Sequence, residues 1–250
     1  FLAAWGPMDM GFGSGQGVKC YHSEHLYGEF WHRAFIVAPD TPRTDYLISC
    51  GANVEASGGV VGVWRHANAR VRGMKRVQVE PHLSITGACS AEWVPIKPKT
   101  DAAFLFALMH VLVHEARRER LDLPFLVKRT ASPYLVGPNG YYLRDRATKK
   151  PLVWDGARGA AVPFDTPGTD EALEGRFEAD AIEIGPDDAV LAEGRLPGTT
   201  AFTLTVDHLK PYSPEWAETV CEVPAARIRR IANEYLDHAR IGETIEIDGV

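Results

Sequence analysis

Apolar and polar positions change their spacing several times along the chain, and each change marks an element. "DYLISCG" (45–51) is a short apolar run ending in glycine and predicts a strand. "GGVVGVWRHANARVRG" (58–73) has helical spacing and predicts a helix closed by Gly73. "KRVQVEP" (75–81) predicts a second strand, stopped by Pro81, and "AEWVPI" (91–96) a third. Thr100 is placed to cap the strongest helix, 101–119, with Asp101 at its positive N-terminal end and arginines toward its C-terminal end. Strand, crossover helix and strand in this order predict an α/β fold: a parallel sheet covered by helices, with ligands at the C-terminal ends of the strands.

The pattern then shifts. Between 131 and 200 turn residues punctuate short alternating runs, and Asn139-Gly140 is a strong hairpin-turn signal. From 201 to 250 helical spacing returns. "SPEWAETVC" has Ser213 as cap and Pro214 at the first helical position. "PAARIRRIANEYLDHA" repeats this with Pro224 and carries an apolar stripe of Ile228, Ile231 and Tyr235. The expected organisation is therefore an α/β lobe over 1–130, a β-hairpin and loop insertion over 131–200, and a helical return to the lobe over 201–250. No internal repeat or low-complexity tract is visible.

Composition excludes several classes. At 250 residues, 45% hydrophobic and 24% charged, the chain is an ordinary globular one with room for one sizeable core. A net charge of −6 gives no electrostatic reason to expect nucleic acid or an anionic membrane as partner. The longest apolar stretch, "AAFLFALMHVLV" (102–113), is too short for a transmembrane segment and contains His110. Cysteines 20, 50, 89 and 221 are widely separated, with no CxxC pair, as in a reducing compartment, so a cytoplasmic setting is expected over a periplasmic one. The opening "FLAAWGPMDM" has neither an initiator Met nor a signal-peptide charge pattern and reads as the start of a piece of a longer protein.

Candidate chemistry gathers in "KCYHSEHLYGEF" (19–30), where Cys20, His22 and His25 are all metal-ligand types. No second cysteine stands nearby to complete a zinc set. The preceding "GFGSGQG" reads as a loop rather than a dinucleotide fingerprint, because no strand comes before it. His110 and His114 lie one helical turn apart without an HExxH arrangement, which favours histidines satisfied by neighbouring groups. Cys50, Cys89 and Cys221 read as core thiols, and Arg65, Arg70 and Arg72 as a solvated helix face from which one arginine can reach a phosphate.

Four segments taken together carry more. "DYLISCGANVE" (45–55), "KRVQVEPHLSITGACSAEWVPIKPKTDAAF" (75–104) and "PYSPEWAETVCEVPAARIRRIANEY" (211–235), with Cys20 upstream, closely resemble the molybdopterin oxidoreductases of the dimethyl sulfoxide reductase family. That family's core runs strand–GxN, strand–DPR, a PGTD helix start and a "peWaeeitgvpae" helix pair. The hairpin-rich 131–200 stretch resembles the branch containing phenylacetyl-CoA oxidoreductase and arsenate reductase, which also holds non-redox hydratases and transhydroxylases.

The resemblance implies a Rossmann-like lobe binding a molybdenum (or tungsten) bis-molybdopterin guanine dinucleotide. A 4Fe–4S cluster is expected in an N-terminal part outside this sequence. Gly51, Asn53 and Glu55 match the loop that touches the dinucleotide phosphates, as a strand-end glycine allows. Glu80, Pro81 and His82 match "DPR", with glutamate for aspartate and histidine for arginine. Asp101 matches the aspartate of PGTD that reads the guanine edge, where a carboxylate can accept from N1–H and N2–H₂; Lys99 stands where that motif has glycine. The resemblance makes Cys20 the metal ligand and His22 or His25 the acid–base group near a small-molecule substrate. The implied activity is oxygen-atom or hydroxyl transfer, with electrons passing to an iron–sulfur cluster and often to a separate iron–sulfur electron-transfer protein. Three other readings stay open: a degenerate family member without the metal, a non-redox hydratase or transhydroxylase of the same fold, and a plain nucleotide-binding scaffold.

Overall fold

The computed structural model describes residues 39–57 and 59–247. Three parallel strands, β1 (Tyr46–Cys50), β2 (Lys75–Glu80) and β3 (Glu92–Pro95), form a sheet in the order β1-β2-β3. The register sets Cys50 opposite Val79 and Glu80 opposite Pro95, so the three C-terminal ends reach one edge together. After β1 come a four-residue helix α1 (Val54–Ser57) and the longer α2 (Gly59–Arg72). Gly73, at φ 113, ends α2 in a conformation that glycine adopts without penalty. The short α3 (Ile85–Ala88) separates β2 from β3.

Alternation along β2 decides the layering. Val77 and Val79 point into the main core with Val94 and Phe104. That core is closed by α4 (Asp101–His110), α7 (Pro214–Cys221) and α8 (Ala225–His238). Arg76, Gln78 and Glu80 point to the other face and are equally buried, at 0%, 0% and 3% exposure. A central parallel strand is usually apolar on both faces; this one is polar on one.

The N-terminal ends of the strands are tied down by charge. Glu234 of α8 accepts from Lys75 Nζ at 2.7 Å and from the Tyr46 hydroxyl at 2.9 Å. Burial pushes the Glu234 carboxyl up, but the bonds from Lys75, Arg230 and Tyr46 outweigh it and hold it at about 2. Arg230 also donates to Glu92.

Between α4 and α7 lie the helices α5 (Leu123–Arg129) and α6 (Ala201–Leu209) and, between these two, the antiparallel parts. A four-stranded sheet runs in the order β4 (Leu135–Val136), β9 (Val190–Thr200), β8 (Arg176–Ile184), β5 (Leu143–Arg144). A second pair is β6 (Leu152–Asp155) with β7 (Ala160–Pro163). Leu135, Leu143, Leu152 and Ala181 form a separate core there. Gly140, at φ 86, sits in the turn signalled by Asn139-Gly140, and the buried Glu183 carboxylate accepts from Asn139 N, Asn139 Nδ2 and Tyr141 N. The described residues thus form a mixed α/β fold, with one parallel and two antiparallel sheets among them.

Several expectations need correction. The helix expected over 101–119 is α-helical only to His110, becomes π-helical over Val111–Glu115 and ends. Beyond it Arg118 stacks 4.7 Å from the Phe202 ring centre and Arg120 bonds Asn233, contacts a continued helix would not make. Thr100 does not cap α4, because its hydroxyl donates to Lys97 O at 2.6 Å. Pro224 is the residue before α8 rather than its first residue. Tyr235 is 48% exposed, and Ala232 and Leu236 complete the stripe with Ile228 and Ile231 instead. Cys50 is exposed, since it ends the edge strand, whereas Cys221 is fully buried. Arg70 and Arg72 also staple α2 to Cys89 O, Thr41 O and Thr44 O, with Arg72 on the exposed side as expected and Arg70 partly buried. His110 and His114 each meet a backbone carbonyl at 2.9 Å, those of Leu209 and Val206. Among the described residues no helix is long and apolar enough to cross a membrane.

Candidate functional site

The C-terminal edge of the parallel sheet gathers three loops: 51–53 after β1, 81–84 after β2 and 96–101 after β3. Gly51 is left-handed (φ 69), its N–H donating to Val79 O at 2.9 Å, and the space where a Cβ would lie is open. The next amides, of Ala52 and Asn53, donate to no acceptor among the described residues. Asn53 Oδ1 accepts from the Thr86 hydroxyl at 2.8 Å and from Thr86 N at 3.4 Å, which leaves its Nδ2 without an acceptor in the same sense. Pro81 and His82 are exposed on the second loop.

Lys99 explains itself in the third loop. Its φ is 68, the left-handed region, where the family motif places glycine. Lys97 N donates to Cys221 O at 3.0 Å, which fixes the loop against the end of α7. Asp101 is the first residue of α4, and no side chain caps that helix. Burial and then the Asp101 carboxylate push the Cys50 thiol up, an electrostatic sign that loops one and three converge.

Glu55 and Glu80 turn inward instead. Glu55 Oε1 accepts from Arg76 Nη2 at 2.7 Å, with side chains 6% and 0% exposed. Burial pushes the Glu55 carboxyl up, and the hydrogen bond and charge of Arg76 help to more than reverse this, so it lies below the ordinary range. Glu80 holds Ser84 N at 2.8 Å on one oxygen and Gln78 Nε2 at 3.0 Å on the other. These carboxylates serve the loops rather than the open edge. Cys20, His22 and His25 lie outside the described residues. Among those described, no group of three His, Cys, Asp or Glu is arranged to hold a metal.

The residues that motif reasoning missed are Arg76, Gln78, Thr86, Ser84 and the buried His66. Arg76 donates to Ser90 Oγ at 2.8 Å and Thr86 O at 2.9 Å, and meets His66 Nδ1 at 3.1 Å. Burial, then the nearby Arg76 charge, pushes His66 below its ordinary value, so its neutral nitrogen accepts from the guanidinium. The signal was available: Arg, Gln and Glu at alternate positions of a strand with helices expected around it.

No protein-family model matches the chain. A sulfite dehydrogenase subunit of Allochromatium vinosum is 28% identical over 221 residues, covering 83% of this chain and 21% of that protein. Dimethyl sulfoxide reductase DmsA of Haemophilus influenzae is 27% identical over 216 residues, covering 84% and 20%. The thiosulfate reductase molybdopterin-containing subunit PhsA of Salmonella typhimurium is 35% identical over 95 residues, covering 38% and 12%. The chain therefore spans about a fifth or less of the length of these curated relatives. With three loops brought to one sheet edge, the chain is similar over most of its length to molybdopterin oxidoreductases of the dimethyl sulfoxide reductase family.

Proposed function

We propose that the chain is part of the catalytic subunit of a molybdenum (or tungsten) oxidoreductase and forms its Rossmann-like lobe for one pterin guanine dinucleotide. The lobe comprises 1–130 and 201–250, with 131–200 as an insertion. The observation that carries this is the convergence of the three loops, above all the left-handed Lys99 at the glycine position of the motif.

The residues present fit such a group. A diphosphate needs unpaired backbone donors and close approach, which Ala52, Asn53 and the open side of Gly51 offer. A guanine edge presents N1–H and N2–H₂ donors, which suit the Asp101 carboxylate. Pro81 and His82 flank the same edge, and Glu55 and Glu80 hold the loops from beneath. When bound, the cofactor supplies the metal centre for oxygen-atom or hydroxyl transfer on a small substrate and passes electrons to a 4Fe–4S cluster. The bis-pterin form, the cluster and an iron–sulfur electron-transfer subunit belong to the same proposal. Cys20 is proposed as the thiolate that the metal keeps deprotonated, and His22 or His25 as the group that moves a proton at the substrate.

Asp101→Ala in the full-length protein tests the reading. The expected result is loss of most of the guanine nucleotide released from the purified enzyme by acid hydrolysis. Full retention would refute the assignment.

A further inference from the structure

The polar face of β2 has no explanation in the fold's stability. Buried polar groups replaced by apolar ones of the same shape often leave stability unchanged or raise it. What they do set is geometry, and here Gln78 bonds Ala52 O in the first loop of the site and Glu80 bonds Ser84 N in the second. We propose that Gln78 and Thr86 are positioning residues that aim both donors of Asn53 at the cofactor. This rests on the reading above.

Gln78, fully buried, donates from Nε2 to Ala52 O at 3.1 Å and to Glu80 Oε2 at 3.0 Å. Ala52 O and Asn53 N–H belong to one planar trans peptide, so they point in opposite directions. Holding the carbonyl down toward β2 therefore turns the Asn53 N–H up, away from the buried layer. Thr86, also fully buried, does the same for the side chain. Its backbone N–H can only donate, which identifies the Asn53 atom facing it as Oδ1 and sends Nδ2 the other way. The Thr86 hydroxyl donates to that Oδ1 at 2.8 Å and accepts from Glu55 N at 3.0 Å, so both its roles are used. Glu80 in turn holds Ser84 N, the cap of α3, which carries Thr86. Loops one and two are thus locked into a single unit through β2, and Asn53 presents two donors from it at a fixed angle. Two donors so fixed suit an anionic or carbonyl acceptor, as the phosphates and pterin of a dinucleotide provide.

The test uses the full-length protein, loaded and cofactor-free, the latter from a host unable to make the pterin. Thr86→Val and Gln78→Met remove the donors at nearly constant volume, and Thr86→Ser restores the hydroxyl. Guanine nucleotide retained after dilution should fall about tenfold for Thr86→Val and for Gln78→Met, one misaimed hydrogen bond each, and should recover in Thr86→Ser. The gap in Tm between loaded and free protein should shrink in step. If Tm of both forms fell in parallel with nucleotide retention unchanged, the two residues would be structural only and the proposal would be overturned. Should Gln78→Met fail to accumulate, the Thr86→Val and Thr86→Ser pair decides alone. Wild-type protein that carries no guanine dinucleotide would overturn the proposed function itself, a different result from loaded wild type with loaded variants.

Discussion

Replacing Arg76 by methionine removes the one fully buried cation of the described core while keeping its aliphatic volume. Its guanidinium reaches Glu55, Thr86 O, Ser90 Oγ and His66 Nδ1. The carbonyl keeps a second donor, since Ser90 Oγ gives its proton to Thr86 O at 2.7 Å. Glu55 has no such reserve: its Oε2 has no hydrogen-bond partner among the described residues, so its carboxylate loses its charged partner inside the protein. Breaking a buried ion pair from one side costs about 3–5 kcal/mol. Because about 1.4 kcal/mol is tenfold, amides of β2 that exchange by local opening should lose more than about 100-fold of their protection. Hydrogen exchange on the full-length protein reads this directly, peptide by peptide. Adding Glu55→Leu should recover most of the loss, because the stranded carboxylate is gone. Protection changed by less than about fivefold in the single variant, or no recovery in the double, would refute the argument that Arg76 and Glu55 stabilise each other in a dry layer.

Acidification should loosen the same layer. The His66 pKa in the folded protein lies below its ordinary 6.5, so the unfolded chain binds the proton first and stability falls as pH drops below about 6.5. Glu55 is also depressed from 4.5 and adds a further loss at lower pH; exchange of β2 amides measured from pH 7.5 to 5 should show the first phase, and His66→Gln should remove it. Lys99→Gly should stabilise the protein by roughly 0.5–1 kcal/mol, because φ 68 is strained for lysine and free for glycine. A destabilised glycine variant in thermal unfolding would mean that the Lys99 side chain contributes more than its backbone costs.

The strands and the parallel character of the sheet were legible because Gly73, Pro81 and the apolar runs punctuate the sequence at the right places. The edge at which the site is proposed followed from the parallel direction of those strands. Helix 101–119 was misread at its end because Phe202 and Asn233, distant in sequence, draw Arg118 and Arg120 out of the helix. Cys50 looked like core because a strand's interior residues are indistinguishable in sequence from the exposed end of an edge strand. The motif positions Gly51, Asn53, Pro81, His82 and Asp101 reach one edge, whereas Glu55 and Glu80 were legible only as acidic residues near it. Their inward direction depends on Arg76 and Gln78, whose partners lie up to 26 residues away. A side chain's target across a crossover is a property of the packed layer, not of the local pattern.

The central claim is that this lobe holds a pterin guanine dinucleotide serving a metal. Elemental analysis of the purified full-length protein, with nucleotide analysis after acid hydrolysis, tests it without assuming any substrate. The account predicts about one molybdenum or tungsten per polypeptide together with released guanine nucleotide, both lost in Asp101→Ala. Wild-type protein that is folded and complete yet contains neither would contradict it.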